Sequence, residues 1–499
     1  MDNIFIHRMR KNRQWFLKIS LIYGAVFTFC LYKNMSGITF PLITAALPAV
    51  SVLFLKKVQI PLQKGTVRYF AGIMLLGIST VLTDSGFFHF FNCVGIILLF
   101  MMAMAHQLYR DDEWGFTEYV KKFFIMVGAW ITSVGEPFHK IGKKTDETCV
   151  DKKKKSGRYK YAGAVLYGVL AAGILLLIVI PLLMMSDQIF SRIFTEIFRF
   201  FSPVNVFRNI DLENIFGILF TFCFGVISLY AFFAGLFKMG LGGKDEKSAG
   251  KASFVTGITF AGILAAVYVF YSGIQILFLF LRLDSGLPEG VTYSRYAHEG
   301  FWQLLAVSLI NFAAVLICAR IFEDSRILKI LLSVISACTC IMILSAAYRM
   351  MLYVNEYNLT FLRVLVLWFL GVLMIIFFGV IYSIYRKNFG LFRYITAVVS
   401  VCYILFSFSH ADALIAGYNI ENTEELNEND LYYLLWGLSQ DAAPQIARLA
   451  DAGEMDFQTA QSLDTYFENI RFVNEDMGIR SWNYSRAEAL KAAEEWTGN

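Results

Sequence analysis

The residues that could carry chemistry are polar side chains in or beside long apolar runs, where charge is costly and often functional. Seven stand at the ends of such runs, and two amides lie deeper: Arg295, His298, Glu299, Arg349, Glu356, Arg363 and Asp412, with Gln275 and Asn311 inside. Arginines and carboxylates alternate in this set, which predicts one contiguous polar cluster. Three interpretations remain open: helix ends that snorkel to the interface, a structural ion-pair network, or a ligand or catalytic pocket.

No catalytic or metal-binding motif extends from these residues. His298 and Glu299 begin an HExxH zinc motif, but residue 302 is Trp, so the second ligand is missing. His410 and Asp412 resemble half a metal site. GxSxG and P-loop patterns are absent from the sequence. We therefore predict no catalytic residue, no metal and no cofactor, and we favour a non-enzyme while leaving an enzyme open.

The elements that position these residues must be membrane helices. The 499 residues are 57% hydrophobic and only 17% charged, with a mean hydropathy of +0.56. Soluble domains are about 45–50% apolar and about 25% charged, so a water-soluble protein is excluded. The eight cysteines include no CxxC pair, which argues against a disulfide framework and against a structural zinc site.

Apolar runs of about 20 residues, long enough to cross a bilayer as helices, predict about eleven spans (ten to twelve). Their approximate bounds are 15–32, 38–55, 67–83, 87–108, 161–185, 214–237, 254–281, 301–322, 327–349, 361–385 and 392–411. With the N-terminus in the cytoplasm, the inner segments hold 30 Lys and Arg and the outer loops hold 8. Because positive loops stay inside, we predict a cytoplasmic N-terminus and an extracytoplasmic C-terminus.

Two amphipathic segments lie between the spans. Residues 113–135 contain an apolar stretch too short to cross, and we interpret them as a helix on the cytoplasmic surface. Residues 187–201 have the same character and are ended by Pro203. Lys152–Lys155 could attract an anionic lipid, although their simplest role is to fix the topology.

The composition changes near residue 414. From Asp412 onward there are 17 acidic and five basic residues. Leu431, Leu434, Leu435 and Leu438 recur at helical spacing, and Asp441 is a candidate cap for the next helix. About 85 residues make a small core. We therefore expect this acidic helical tail to pack on the membrane domain or on a protein partner.

Three motifs resemble a known family: Tyr296-Ala297-x-x-Gly300-Phe301, Tyr357-x-Leu359-Thr360-x-x-Arg363 and Ala411-Asp412-Ala413-Leu414-Ile415-Ala416. They are similar to a bacterial polytopic membrane-protein family catalogued only as a domain of unknown function, over roughly residues 150–440. The resemblance implies the bacterial cytoplasmic membrane and supplies no activity. One departure is His298, where the family usually has Arg, so the charge at that position differs.

The sequence therefore predicts an all-α integral membrane protein in three parts: 1–160 with four spans and a basic loop, 161–413 as a seven-span family core, and 414–499 as the tail. Its partners are the lipid bilayer and not nucleic acid. Three functions compete. The first is a non-enzymatic envelope scaffold or signalling partner, the second is a transporter or channel with a path near Gln275 and Asn311, and the third is an enzyme acting on lipid-linked substrate at the polar cluster.

Overall fold

The structure is a computed structural model that describes residues 4–109, 114–138, 212–239, 253–280, 293–386, 389–422, 427–452, 457–475 and 477–496. The helices of the membrane part are α1 (Ile4–Lys11), α2 (Arg13–Leu31), α3 (Phe40–Lys57), α4 (Lys64–Leu82), α5 (Gly86–Leu108), α6 (Phe116–Thr132), α7 (Leu212–Met239), α8 (Phe254–Ile274), α9 (Tyr293–Ile321), α10 (Arg326–Tyr357), α11 (Phe361–Tyr385) and α12 (Leu391–Ser407). The predicted span 161–185, the helix 187–201 and Lys152–Lys155 lie outside the described residues.

Nine of the described helices are long and apolar enough to cross a membrane. A tenth candidate is α12 together with α13 (Ala411–Asn422), which meet at 59°. The all-helical, multi-pass prediction is therefore confirmed, and the helix bounds lie within a few residues of most predicted spans. The exact number of crossings and the orientation stay predictions.

The chain divides into two compact units, residues 1–137 with 221–499 and residues 138–220, and the contacts below belong to the first. One group of helices in it contains α2 to α5 and most of α7, around a single apolar core. Phe54 lies at the centre, with its ring 4.7 Å from Phe16 and 5.0 Å from Phe233. Aromatic side chains fill the space between these helices because each buries a large apolar area.

A second group contains α8 to α12. The small residues Gly257, Ala261 and Ala265 recur every four positions on α8 and are buried. They let neighbouring helices approach closely. The ring of Phe322 lies where a side chain at Gly257 would stand. The two groups meet where α12 packs on α4 and α5.

A buried polar knot joins the two groups. Asn92 on α5 is fully buried and donates to the Thr80 hydroxyl at 3.0 Å. Its carbonyl accepts hydrogen bonds from Tyr403 and Ser407 on α12, both at 3.0 Å. Ser407 also contacts the Ser79 hydroxyl. In a dry site each of these polar groups needs a partner, so the knot fixes the register of α12.

The N-terminal end of the chain is rich in cations. It lies at the ends of the helices that are away from the polar knot. Arg10 and Lys238 bind the same carboxylate, Glu136, at 2.9 and 2.8 Å. Burial alone would raise the pKa of Glu136, but these two cations hold it below its ordinary value. Arg8 donates to the carbonyl of Val58 at 2.8 Å. These contacts hold α1 against the end of α3 and against the turn after α6, which Lys238 at the end of α7 also binds.

The tail has its own apolar core. Its helices are α13, α14 (Glu428–Tyr432, continued by a π turn Tyr433–Gly437), α15 (Ala443–Ile446), α16 (Phe457–Asn474) and α17 (Tyr484–Glu495). The Phe467 and Trp496 rings stack at 4.9 Å, and Ala416 of α13 belongs to the same core. The tail contacts the loops after α2 and after α4, so it lies at the end of α2 away from α1.

Candidate functional site

The densest cluster of described ionisable groups lies where the tail meets the membrane helices. A 3₁₀ turn, Gln440–Ala442, presents Asp441 to the loop between α4 and α5. The Asp441 carboxylate accepts hydrogen bonds from the Thr83 hydroxyl at 2.6 Å, the Asp84 N–H at 2.6 Å and the Ser485 hydroxyl at 2.5 Å. Its side chain is 1% exposed. We call this set, with His410, the Asp441 network.

His410 completes the network. It lies in the turn between α12 and α13 with a left-handed backbone (φ 49°), which is uncommon for a residue other than glycine. This conformation places Nδ1 3.6 Å from the Asp441 carboxylate. The nearby Asp441 carboxylate favours the protonated imidazole and raises the pKa of His410. Burial pushes the pKa of Asp441 up, but His410, Ser485, Thr83 and the Asp84 N–H together hold it below its ordinary value.

Two further carboxylates flank the network. Asp84 accepts a hydrogen bond from Arg486 of α17 at 2.6 Å. Burial raises the pKa of Asp84, and Arg486 offsets only part of this effect. Asp412 on α13 accepts hydrogen bonds from the Ser439 hydroxyl at 2.6 Å and the Ser439 N–H at 3.2 Å. Burial raises its pKa as well.

Hydrogen bonds from side chains to backbone carbonyls extend the contact between the tail and the membrane domain. We call this contact, together with the Asp441 network, the seam. Asn483 donates to the carbonyls of Ser36 and Thr83, both at 3.0 Å. Asn34 donates to the Arg480 carbonyl at 2.9 Å. A Cβ at Gly37 would stand 2.2 Å from that carbonyl oxygen, so only glycine fits there. The loops after α2 and after α4 thus both hold the tail.

Two of the predicted polar residues, Arg349 and Gln275, contact each other, and the others that are described have separate partners. On α10, Arg349 donates to Gln275 Oε1 at 3.5 Å, and this oxygen also accepts from Ser345 at 2.6 Å. Asn311 is fully buried on α9 and donates to Thr339 of α10 at 2.9 Å. These contacts tie the membrane helices together inside the second group.

The other members are distributed along the end of the bundle. Arg363 donates to the carbonyls of Tyr357 and Asn358, and its guanidinium lies 4.2 Å from the Tyr353 ring centre. Glu356 is exposed. Asp412, described above, contacts Ser439 of the tail. The side chains of Arg295, His298 and Glu299, at the start of α9, lie outside the described residues, so the single contiguous cluster stays a prediction.

Within the described ranges, no group of three or more His, Cys, Asp or Glu side chains is placed to hold a metal ion. The Asp441 network fits that observation. Its carboxylate oxygens already accept hydrogen bonds from fixed donors, and a cation would have to displace them. The arrangement suits a rigid joint between two parts of the chain better than a reaction centre.

One comparison with known proteins decides the family. The family described as Domain of unknown function (DUF4153) matches residues 70–449. This chain belongs to that family. The finding agrees with the resemblance recognised in the sequence, and the match begins closer to the N-terminus than residue 150. No curated protein and no solved structure matches the chain, so the family description leaves the molecular function to be argued from geometry.

Sequence reasoning missed most of the Asp441 network. Asp441 was predicted to cap the helix that contains Pro444, but the N-cap of α15 is Ala442 and the Asp441 carboxylate points instead to Thr83 and Asp84. The available signal was the short loop Thr83-Asp84-Ser85 between two spans. A lone acidic residue there needs a partner, and sequence alone does not say that Arg486 supplies it.

Proposed function

We propose that this protein is a non-enzymatic scaffold or signalling partner of the bacterial cytoplasmic membrane, acting through a C-terminal tail outside the cell membrane. The observation that carries the proposal is an exposed aromatic patch on a tail that is otherwise firmly held. Tyr432, Trp436 and Phe457 are 68%, 45% and 85% exposed. Large exposed apolar patches on a folded surface typically mark protein interaction sites.

The three aromatic residues lie on neighbouring segments. Gln458, next to Phe457, donates to Glu428 of α14 at 3.4 Å. Further along the same two segments, the Trp436 ring packs edge-on against Tyr466 at 5.9 Å. We call Tyr432, Trp436 and Phe457 the tail aromatic patch. Exposed aromatic side chains contribute much of the energy of protein recognition.

The Asp441 network supports a mechanical role for the seam. An acid–base pair needs an accessible group with a free proton site. Asp441 is enclosed, and its four contacts come from three different parts of the chain. A partner bound to the tail aromatic patch would therefore pull on the loops after α4 and α12, which transmits the binding event to the membrane helices.

The proposed orientation is supported by which loops touch the tail. The Lys and Arg bias assigns residues 33–37, 84–86 and 349–363 to the outside, and each of these loops contacts the tail through Asn34, Asp84 or Asn358. A direct test labels Glu494→Cys in intact cells with a membrane-impermeant maleimide. We expect labelling above the wild-type background without permeabilisation, and Lys11→Cys to label only after it.

Photo-crosslinking in living cells tests the scaffold role. A benzophenone amino acid is placed at Tyr432 or Phe457 of the full chain, and at the exposed Lys491 as a control. We expect a discrete adduct with one protein at the two patch positions only. Equal, diffuse labelling at all three positions, together with altered lipid composition or metabolite uptake in a deletion strain, would contradict the proposal.

The transporter alternative depends on polar groups inside the membrane helices. Gln275 opens a π-helical turn, Gln275–Phe280, and π turns recur at functional sites. Gln275 and Ser345 are buried, and so are Asn311 and Thr339, with Thr339 six residues before Ser345 on α10. A solute flux that disappears in Gln275→Leu, while the protein stays folded, would favour this function over the scaffold.

A further inference from the structure

A long apolar cavity opens between α5, α6, α9, α11 and α12. Its volume is about 990 Å³, at the upper end of the 300–1,000 Å³ typical of ligand pockets. Most of its walls are phenylalanine, leucine, valine, methionine and tryptophan side chains, with Thr396 and Ser400 among the few polar residues. The cavity is not part of the Asp441 network, and nothing in the proposed function depends on it.

The length of the cavity matches the hydrocarbon core of a bilayer. On α5 the lining runs from Phe87 to Ala105. At about 1.5 Å rise per residue this corresponds to about 27 Å, against about 30 Å for the hydrocarbon core. On α12 the lining extends from Phe392 to Ile404. A compact metabolite would leave most of such a slot empty, whereas an extended acyl chain would fill it.

Positive charge is concentrated at the α6 end. There Tyr119 stacks on Phe392 with ring centres 4.3 Å apart, and both line the cavity. Lys121 and Lys122 stand between the lining residues Val120 and Phe123. The Lys122 ammonium lies 4.7 Å from the Tyr109 ring centre, so it is held at this end of the cavity.

A third cation reinforces the asymmetry. Arg393 follows the lining residue Phe392 at the α6 end. At the other end the lining residues are Phe87, Trp302 and Leu362. Arg363 is the nearest cation along the chain there, whereas three cations stand next to lining residues at the α6 end. A phosphate headgroup is therefore favoured at the α6 end.

We propose that this cavity binds one anionic phospholipid, with its acyl chains between α5 and α12 and its phosphate beside Lys121, Lys122 and Arg393. The apolar walls bind the acyl chains through van der Waals packing, and the cations select the headgroup. A polyprenyl phosphate offers the same chemistry, a long hydrocarbon with a terminal phosphate, and the test separates the two sources.

The test uses the full chain purified in mild detergent, with co-purifying lipid measured by mass spectrometry. Ser400→Trp places an indole in the cavity, and Val401→Trp is the matched control, because Val401 is 56% exposed and does not line the cavity. The indole would occupy space that an acyl chain needs. We expect the co-purified lipid to be lost from Ser400→Trp and to stay at the wild-type level in Val401→Trp.

The main comparison of a second measurement uses the wild-type protein, so it does not depend on the fold of a variant. Wild-type protein in nanodiscs receives a phosphatidylglycerol that carries a photoreactive acyl chain, or a photoreactive polyprenyl phosphate in a parallel sample. We expect the phospholipid to label peptides from α5 and α12 at lining positions. The double change Lys121→Glu and Lys122→Glu should reduce this labelling more than it reduces labelling by a phosphatidylcholine that carries the same photoreactive chain. Labelling by the polyprenyl phosphate alone, or uniform labelling of exposed helix faces, would overturn the proposal.

Discussion

Asp441→Ala should release the tail from the membrane domain. The substitution removes the acceptor of hydrogen bonds from Thr83, the Asp84 N–H and Ser485, and the partner of His410. Thr83 and Ser485 are 1% and 4% exposed, so water cannot replace the carboxylate without opening the seam. Removing one partner from a buried charged network costs about 3–5 kcal/mol. The undocking equilibrium should then rise by at least about a hundredfold.

Hydrogen–deuterium exchange of the full chain in nanodiscs measures this effect. Amides in α17 and in residues 83–85 should exchange at least about a hundredfold faster in Asp441→Ala. Asp441→Asn keeps the shape and one acceptor oxygen, so its effect should be smaller, about 1–3 kcal/mol. Glu494→Ala, an exposed change on the same helix, is the control. If Asp441→Ala exchanges like Glu494→Ala, the carboxylate does not hold the tail and our reasoning about the seam is refuted.

The remaining predictions concern the same seam. Gly37→Ala should detach the tail because its Cβ would meet the Arg480 carbonyl, whereas Gly86→Ala, with nothing within 4 Å, should leave protease resistance of the tail unchanged; equal resistance in both variants would contradict the close approach. Asp441 raises the pKa of His410 in the folded protein above its ordinary value of 6.5. His410 should therefore stabilise docking fully below pH 6.5, and this contribution is lost as the pH rises through the raised pKa. Asp441 has a lowered pKa, so its own contribution is lost only at acidic pH, below 3.8. Exchange of residues 83–85 in wild type and His410→Gln should therefore differ at about pH 6 and converge at about pH 9; a constant difference would argue against the pair.

Most of the membrane helices could be predicted because their signal is local. A run of about 20 apolar residues is nearly sufficient to define a spanning helix, and α11 begins and ends where the hydropathy places it. Two helices extend furthest beyond their apolar runs: α9 begins at Tyr293 rather than near residue 301, and α10 continues to Tyr357 although its apolar run ends near residue 349. The last turns of α10 are held by contacts of the following turn, through Arg363, which hydropathy does not encode.

The tail was less predictable because its register depends on distant contacts. Leu434 and Leu435 are buried as expected, but the helix that carries them changes to a π turn. Phe457 is 85% exposed, while the equally apolar Leu463 and Phe467 on the same helix are buried. The polar set near α9 and α10 was recognised by type, yet the partners of Arg349 and Asp412 come from Gln275 and Ser439, which no sequence spacing links.

The seam also constrains how the protein is made. Asn34 and the carbonyl of Arg480 are 446 positions apart in the chain, and Asp84 and Arg486 are 402 apart. During synthesis the early loops therefore exist long before their partners do. Contacts of such high order form slowly, so until the last helix has been made and has folded, Asp84 lacks its arginine. A chain that stops before Arg480 cannot form either contact, so the tail docks only after nearly the whole sequence has been translated.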